Sequence, residues 1–287
     1  MLRSSKDRTA GQFPFSFFPV FQYSSDVVKE ITMTVAIKRS IKVIKNEKIS
    51  DGIFDLWLDA PEMASSARPG QFISMYCNDG SRLLPRPISI CEINKKAACI
   101  RLVYRVVGKG TGEFSKLGPG DKIDCMGPLG NGFTLEGKKA LIIGGGIGIP
   151  PLLELAKQLD CEKNIVLGYR SATFLVEDFE KYGNVYLSTE DGSTGIRGNV
   201  LDAIRHYGLS ADIIYACGPV PMLKGIKDFA KENRIKAQLS LEERMACGIG
   251  ACLACVCKSA ETDPHTNVNN KRVCKEGPVF YADEIIL

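Results

Sequence analysis

Hydrophobic and polar positions along the chain switch from one rhythm to another near residue 137. Up to there the period is two. "IFDLWLD" (53–59) sets Phe54, Leu56 and Leu58 on one face against Asp55 and Asp59, and "CIRLVYRVV" (99–107) sets Ile100, Leu102, Tyr104 and Val106 against Arg101 and Arg105. Successive side chains of a strand point to opposite faces, so each stretch predicts a half-buried strand. "QFISMYC" (71–77), "RPISICEI" (86–93) and "KIDCMG" (122–127) add three more with turn residues between them. Short strands punctuated in this way predict an antiparallel barrel or sandwich.

Past Gly137 the pattern alternates strand and helix. "KALIIGGGIGIPPLLELAKQL" (139–159) is an apolar run of strand length, a glycine-rich turn and a helix whose Leu152, Leu153, Leu155 and Ala156 form one stripe. Further strands are expected at "NIVLGYR" (164–170), "VYLSTED" (185–191) and "DIIYACG" (212–218), with a helix at "PMLKGIKDFAKE". That alternation predicts a parallel sheet covered by helices. The last stretch holds a cysteine cluster, a polar loop (259–272) and a strand-like close, "PVFYADEIIL". The resulting division is 1–33 as a disordered extension, 34–136 as a β-barrel, 137–235 as an α/β domain and 236–287 as a cysteine-bearing domain.

Length and composition narrow the chemistry. A chain of 287 residues is long for one core and suits two or three domains. The opening stretch "GQFPFSFFPVFQYSS" has neither period and is too interrupted by proline and polar residues to span a bilayer. Eleven cysteines without a secretory signal point to a reducing, cytoplasmic setting in which thiols ligate something or are buried. The net charge of +4 is dispersed without basic runs, which argues against nucleic acid. Only His206 and His265 are present, so hydrolytic triads and histidine-based metal enzymes are poor candidates.

Three motifs carry chemistry. A glycine-rich turn between a strand and a helix lets a pyrophosphate approach free backbone N–H groups, and Gly144, Gly145, Gly146 and Gly148 supply such a turn. The spacing departs from G-x-G-x-x-G, so a merely tight strand–helix turn remains the other reading. "ACGPVPM" (216–222) ends a second strand in Cys217, Gly218 and Pro219 and opens another helix. Cys217 reads either as a group near a bound nicotinamide or as a small buried residue. In the barrel, the arginine of "PRPISI" (85–90) can pair with a phosphate, Ser89 can hydrogen-bond a flavin ring edge, and Gly110 and Thr111 can offer backbone N–H groups. An exposed strand arginine beside an ordinary turn is the plain alternative. Finally, "ERMACGIGACLACVC" (243–257) spaces Cys247, Cys252 and Cys255 as C-x4-C-x2-C, and eighteen residues intervene before Cys274. This is the plant-type [2Fe-2S] spacing, whereas structural zinc favours paired C-x2-C motifs. Cys257 is the spare thiol, since a fourth ligand two residues from the third is awkward.

Taken in order, "PRPISI", "VYRVVGKGT", "GGGIGIPP" and "YACGP" resemble the ferredoxin reductase superfamily, with a flavin-binding barrel followed by a nicotinamide-dinucleotide domain. With "LEERMACGIGACLACVC…RVCKEGPVF" added, the chain resembles the electron-transfer subunits of NAD-linked dihydroorotate dehydrogenases over about 250 residues. The resemblance implies FAD held by Arg86, Pro87, Ile88, Ser89, Val103, Tyr104, Arg105, Gly110 and Thr111. It implies NAD across Gly144–Gly148 and Cys217–Pro219, and a [2Fe-2S] cluster on Cys247, Cys252, Cys255 and Cys274. It further implies an FMN-containing catalytic partner in a heterotetramer of two chains of each kind, serving pyrimidine biosynthesis. Rival readings are a flavin and iron–sulfur reductase subunit of another NAD(P)H-linked complex and a zinc-stabilised binding module. Arg170, after the second sheet strand, leaves NAD against NADP open.

Overall fold

In the computed structural model, which describes residues 37–262, 264–265 and 267–287, the period-two segments close on themselves. Strands β1 (Lys38–Ser50), β2 (Ile53–Asp59), β3 (Phe72–Met75), β4 (Arg86–Asn94), β5 (Cys99–Arg105) and β6 (Lys122–Leu129) form a barrel in the order β1-β2-β5-β4-β3-β6. All its pairings are antiparallel, and the long β1 closes it by pairing β2 on one side and β6 on the other. Leu56, Leu58, Ile73, Met75, Ile90, Ile100, Leu102 and Tyr104 fill the interior. The short helices α1 (Pro61–Ser66) and α2 (Lys109–Phe114) lie in its connections. The expected extension at 1–33 lies outside the described residues.

The outer face of β2 and β5 departs from the sequence reading. Asp55 and Arg101 were expected on a solvent face, yet both are buried and joined by two hydrogen bonds of 2.8 and 3.1 Å. The reason is tertiary: Arg101 also reaches Asp178 at 3.0 Å on a helix of the neighbouring α/β unit, which covers this side of the barrel.

The second half is a seven-stranded sheet. Its parallel strands are β7 (Lys139–Gly145), β8 (Glu162–Tyr169), β9 (Asn184–Thr189), β10 (Ile196–Arg197), β11 (Ile213–Cys217) and β12 (Lys236–Ser240). Helices α3 (Pro151–Gln158), α4 (Val176–Glu180), α5 (Val200–His206) and α6 (Val220–Asn233) connect them. After β12 the chain forms β13 (Val256–Ser259), β14 (Asn270–Arg272), β15 (Val279–Tyr281) and β16 (Ile285–Ile286). The large sheet runs β10-β9-β8-β7-β11-β12-β15, with β15 antiparallel to β12, and β14-β13-β16 make a small separate sheet. A boundary at 235/236 therefore refines into something less clean: β12 and β15 of the C-terminal region complete the sheet of the region before it.

Continuous apolar runs suit strands covered on both faces. In β7, Leu141 and Ile143 pack with α5 and α6, whereas Ala140 and Ile142 pack with α3 and α4. The barrel docks on α3 through a buried carboxylate: Glu154 accepts the Ile93 amide of β4 at 2.7 Å and the Gln158 side-chain amide at 2.6 Å. The segment between barrel and sheet is pinned by Tyr215, whose hydroxyl accepts the Glu136 amide at 2.9 Å and lies 2.8 Å from the Glu136 carbonyl. From Ile37 onward the described chain is one compact unit. None of its described helices is long and apolar enough to cross a membrane.

Candidate functional site

The cysteine loop is shaped around its sulfurs. Gly248 and Gly250 adopt φ of +71° and +81°, a left-handed backbone that disfavours any side chain. This bend brings the Cys252 amide to 3.4 Å from Cys247 Sγ, and the two sulfurs of Cys247 and Cys252 to 3.4 Å from each other. From the opposite side, the Gly250 amide donates to Cys274 Sγ at 3.1 Å and the Cys274 amide to Cys255 Sγ at 3.4 Å. Burial raises the Cys247 thiol, but amides of Ile249, Cys252 and Ala251 outweigh it and lower its pKa to about 6. Burial and the adjacent Cys255 thiol push Cys274 up to about 12, against the Gly250 amide.

The sulfurs thus come as two pairs, Cys247 with Cys252 and Cys255 with Cys274. A two-iron cluster held by four thiolates suits two pairs of sulfurs with amides directed at them. The donor set therefore fits [2Fe-2S]. Cys257 sits apart on β13, opposite Lys271 of β14.

Residues without a cysteine signal hold this loop together. Arg272 donates to the Gly250 carbonyl at 2.7 Å and pairs with Glu276, tying the Cys247 loop to the turn carrying Cys274. Asn131, just past the barrel, donates from its side chain to the carbonyls of Lys275 and Glu276 at 3.0 and 3.1 Å. The only sequence sign of this is "RVCKE", in which Arg272 and Glu276 stand four apart around the ligand.

On the barrel, a Cβ at Gly110 would lie 2.6 Å from Arg86 Nε, so the guanidinium rests directly on the Gly110 backbone. Arg86 also donates to the Leu84 carbonyl and makes no ion pair among the described residues. A guanidinium free of carboxylate beside the backbone of a glycine turn suits a phosphate. Ser89 and Pro87 are half-buried on the outer face of β4, and Ile88 packs toward the barrel interior. Val103 packs on the α/β side and Arg105 is exposed. The Tyr104 ring is buried inside the barrel, stacked on Phe54 with centroids 5.8 Å apart, so only its backbone faces a ligand outside. The Thr111 hydroxyl accepts the Val107 and Gly108 amides at 3.0 and 3.3 Å, capping its own turn.

The glycine-rich turn opens at the topological switch point. From β7 the sheet runs through β8, β9 and β10 on one side and through β11 and β12 on the other, and ligands of open α/β sheets bind outside the strand ends at that reversal. The turn after β7 and that after β11 meet there, in register from Gly144 to Cys217. A Cβ at Gly148 would lie 2.5 Å from the Cys217 carbonyl carbon, and one at Gly145 would lie 2.5 Å from Met222 Sδ and 3.3 Å from Pro219. Gly218 likewise stands against Met222 and Gly145. These glycines let the two turns close together, while Gly146 alone is open, with Arg105 of the barrel 3.8 Å from its Cβ position. Prolines 150 and 151 begin α3, so its first turn offers few amides, which is where the departure from G-x-G-x-x-G shows. Burial raises the Cys217 thiol to about 12, against the Ser240 hydroxyl beside it, keeping it neutral. The Arg170 side chain is exposed past β8.

Residues 242–286 match the iron–sulfur cluster binding domain of dihydroorotate dehydrogenase B. The chain is 45% identical over 261 residues to the dihydroorotate dehydrogenase B (NAD(+)) electron transfer subunit of Streptococcus mutans, covering 88% of this chain and 99% of that one. The chain belongs to this electron transfer subunit family. The subunit of Listeria monocytogenes serovar 1/2a is also 45% identical, across 88% of this chain and 100% of its own length. Among solved structures, an NADH-dependent reduced ferredoxin-NADP oxidoreductase studied for flavin-based electron bifurcation superposes with a TM-score of 0.78 at 31% identity, covering 86% of this chain and 89% of its own. The cytochrome b5 reductase domain of Ulva prolifera nitrate reductase shares the fold at a TM-score of 0.55 and 17% identity, over 66% and 89% of the two chains. In this electron transfer subunit, then, the barrel, the switch-point crevice and the paired cysteines are parts of one reductase fold.

Proposed function

We propose that this chain carries electrons from a dihydroorotate-oxidising partner to NAD⁺, as the NAD-reducing subunit of a dihydroorotate dehydrogenase. The net reaction is dihydroorotate + NAD⁺ → orotate + NADH + H⁺, with oxidation of the carbon substrate on the partner. When bound, the [2Fe-2S] cluster supplies single-electron exchange, FAD exchange of one or two electrons, and NAD⁺ acceptance of hydride. Cys247, Cys252, Cys255 and Cys274 hold the cluster, and Arg86 with the Gly110 turn holds the FAD phosphates against the Pro87–Ser89 ledge. The crevice between Gly146 and Pro219 takes the dinucleotide.

The observation that carries this reading is alignment. Gly248 of the cysteine loop lies against Ser74 of β3, β3 is hydrogen-bonded to the Arg86–Ser89 strand, and Arg105 of the same barrel approaches the Gly146 turn. The three sites thus follow one another across the barrel wall. By task, 34–136 is the flavin domain, 137–235 the dinucleotide domain and 236–287 the cluster domain.

The partner is an FMN-containing catalytic subunit in a two-plus-two assembly of the pyrimidine pathway, docked over the cysteine loop. There Ile249 and Leu253 stand 47% and 68% exposed, an apolar surface that suits a short-range contact. All eleven cysteines are unpaired, in keeping with the cytoplasm. The 31% identical oxidoreductase structure favours a second reading, a subunit of another NAD(P)H-linked flavin complex; the 45% identical relatives favour the first. Iron, sulfide and flavin analysis of the complex with its partner, wild type and Cys255→Ser, is the test. We expect FAD retained, iron lost and dihydroorotate-to-NAD⁺ transfer abolished in the variant. Full transfer without iron removes the cluster from the route.

A further inference from the structure

Ser74 is 1% exposed, and its hydroxyl has no hydrogen-bond partner among the described residues. It lies on the outer face of β3: Ile73 and Met75 turn into the barrel, while Phe72 packs under the C-terminal region. Across the ladder Ser74 stands opposite Pro87, within the "RPIS" ledge, and on its other side the pairing of β3 with β6 shifts register between Phe72 and Ser74. Such irregularities re-aim side chains beside functional sites. Above it, a Cβ on Gly248 would come 2.8 Å from Ser74 Oγ, so the hydroxyl touches the loop between Cys247 and Cys252.

A buried hydroxyl without an acceptor is destabilising, and native proteins seldom leave one so. Its position, between the flavin ledge and the cysteine loop, points to an acceptor that the polypeptide does not supply. We propose that Ser74 is a positioning residue whose hydroxyl donates a hydrogen bond to the redox group seated there and thereby sets its potential. The inference rests on the cofactor reading given above. The acceptor chemistry is an electron-rich atom whose negative charge grows on reduction, either a flavin ring edge or a cluster sulfur. A donor favours the reduced form, so its removal lowers the midpoint potential.

The test uses the full chain loaded with cluster and FAD, wild type and Ser74→Ala. Iron, sulfide and flavin contents are measured first, since a wild-type chain without them refutes the cofactor reading and not the role of Ser74. Redox titrations then follow the cluster by electron paramagnetic resonance and the flavin by absorbance. A tenfold loss of preference for the reduced form is expected, which is 59 mV for a one-electron couple and about 30 mV for a two-electron couple. A downward shift confined to the cluster names sulfur as acceptor, and one confined to the flavin names the ring. Both potentials unchanged at full loading overturn the proposal. Ser74→Cys, close in size with a much weaker donor, provides the same readout if the alanine variant loads poorly.

Discussion

Gly148→Ala perturbs the dinucleotide crevice without touching the barrel or the cysteine loop. The new methyl would stand 2.5 Å from both the carbonyl carbon and oxygen of Cys217 and 2.6 Å from Gly218 Cα. These are backbone atoms, which cannot swing aside as a side chain does. Since carbon atoms pack best at about 3.5–4 Å, the turns after β7 and β11 must separate by about 1 Å. Overpacking of this kind costs about 1–3 kcal/mol of stability. The functional effect is larger in kind, because misplacement by about 1 Å in a positioning site can cost ~100-fold. NADH affinity of the FAD-loaded chain should fall by roughly 10- to 100-fold, or about 1.4–2.8 kcal/mol, with FAD content unchanged. Titration of NADH by calorimetry, beside a urea unfolding curve for each protein, measures both quantities. Gly146→Ala is the control: its methyl meets only Arg105 at 3.8 Å, so its penalty comes from the φ of +54° and not from prising the turns apart. A folded Gly148→Ala chain that binds NADH within twofold of wild type would refute the placement of the dinucleotide between these turns.

Two further perturbations separate binding from scaffold. Arg101→Met leaves the buried Asp55 and its neighbour Asp178 without their shared cation, so unfolding free energy should fall by about 3–5 kcal/mol, and pairing the change with Asp55→Leu should restore part of it. Burial raises Asp178, but hydrogen bonds and charge from Lys181 and Arg101 outweigh this and hold its carboxyl below the usual range. Its contribution is therefore present above the unfolded carboxylate pKa and lost as pH falls through the depressed folded value; denaturation curves at descending pH should show a shallower acid loss in Arg101→Met. Arg86→Ala removes the guanidinium over Gly110, and with charge-assisted hydrogen bonds worth about 1.5–3 kcal/mol, FAD should bind roughly 10- to 100-fold more weakly while the iron content stays at the wild-type value. Equal FAD affinity in that variant would detach Arg86 from the phosphates.

Local signals determined a good deal here. Period two in 53–59 coincides with β2, that in 99–107 covers all of β5 and overruns it by two residues, and the apolar runs near 139, 164 and 212 each lie in a strand of the parallel sheet. Strand alternation and cysteine spacing are properties of neighbouring residues, so they are written in the chain itself. What only the tertiary structure decided is which surfaces become interiors. Asp55 and Arg101 read as solvent-facing until α4 covers them, and only barrel closure shows that the Tyr104 ring turns inward. Gly144, Gly145, Gly146 and Gly148 read as one glycine-rich turn, and only folding sets Gly145 and Gly148 against the other turn, 73 residues further along between Gly144 and Cys217. Ser74 carried no signal at all, because what sets it apart is its contact with Gly248, a residue distant in sequence that folding places against its hydroxyl. Periodicity reports each element's own two faces; only packing decides what each face meets, and contacts between remote segments leave no period to read.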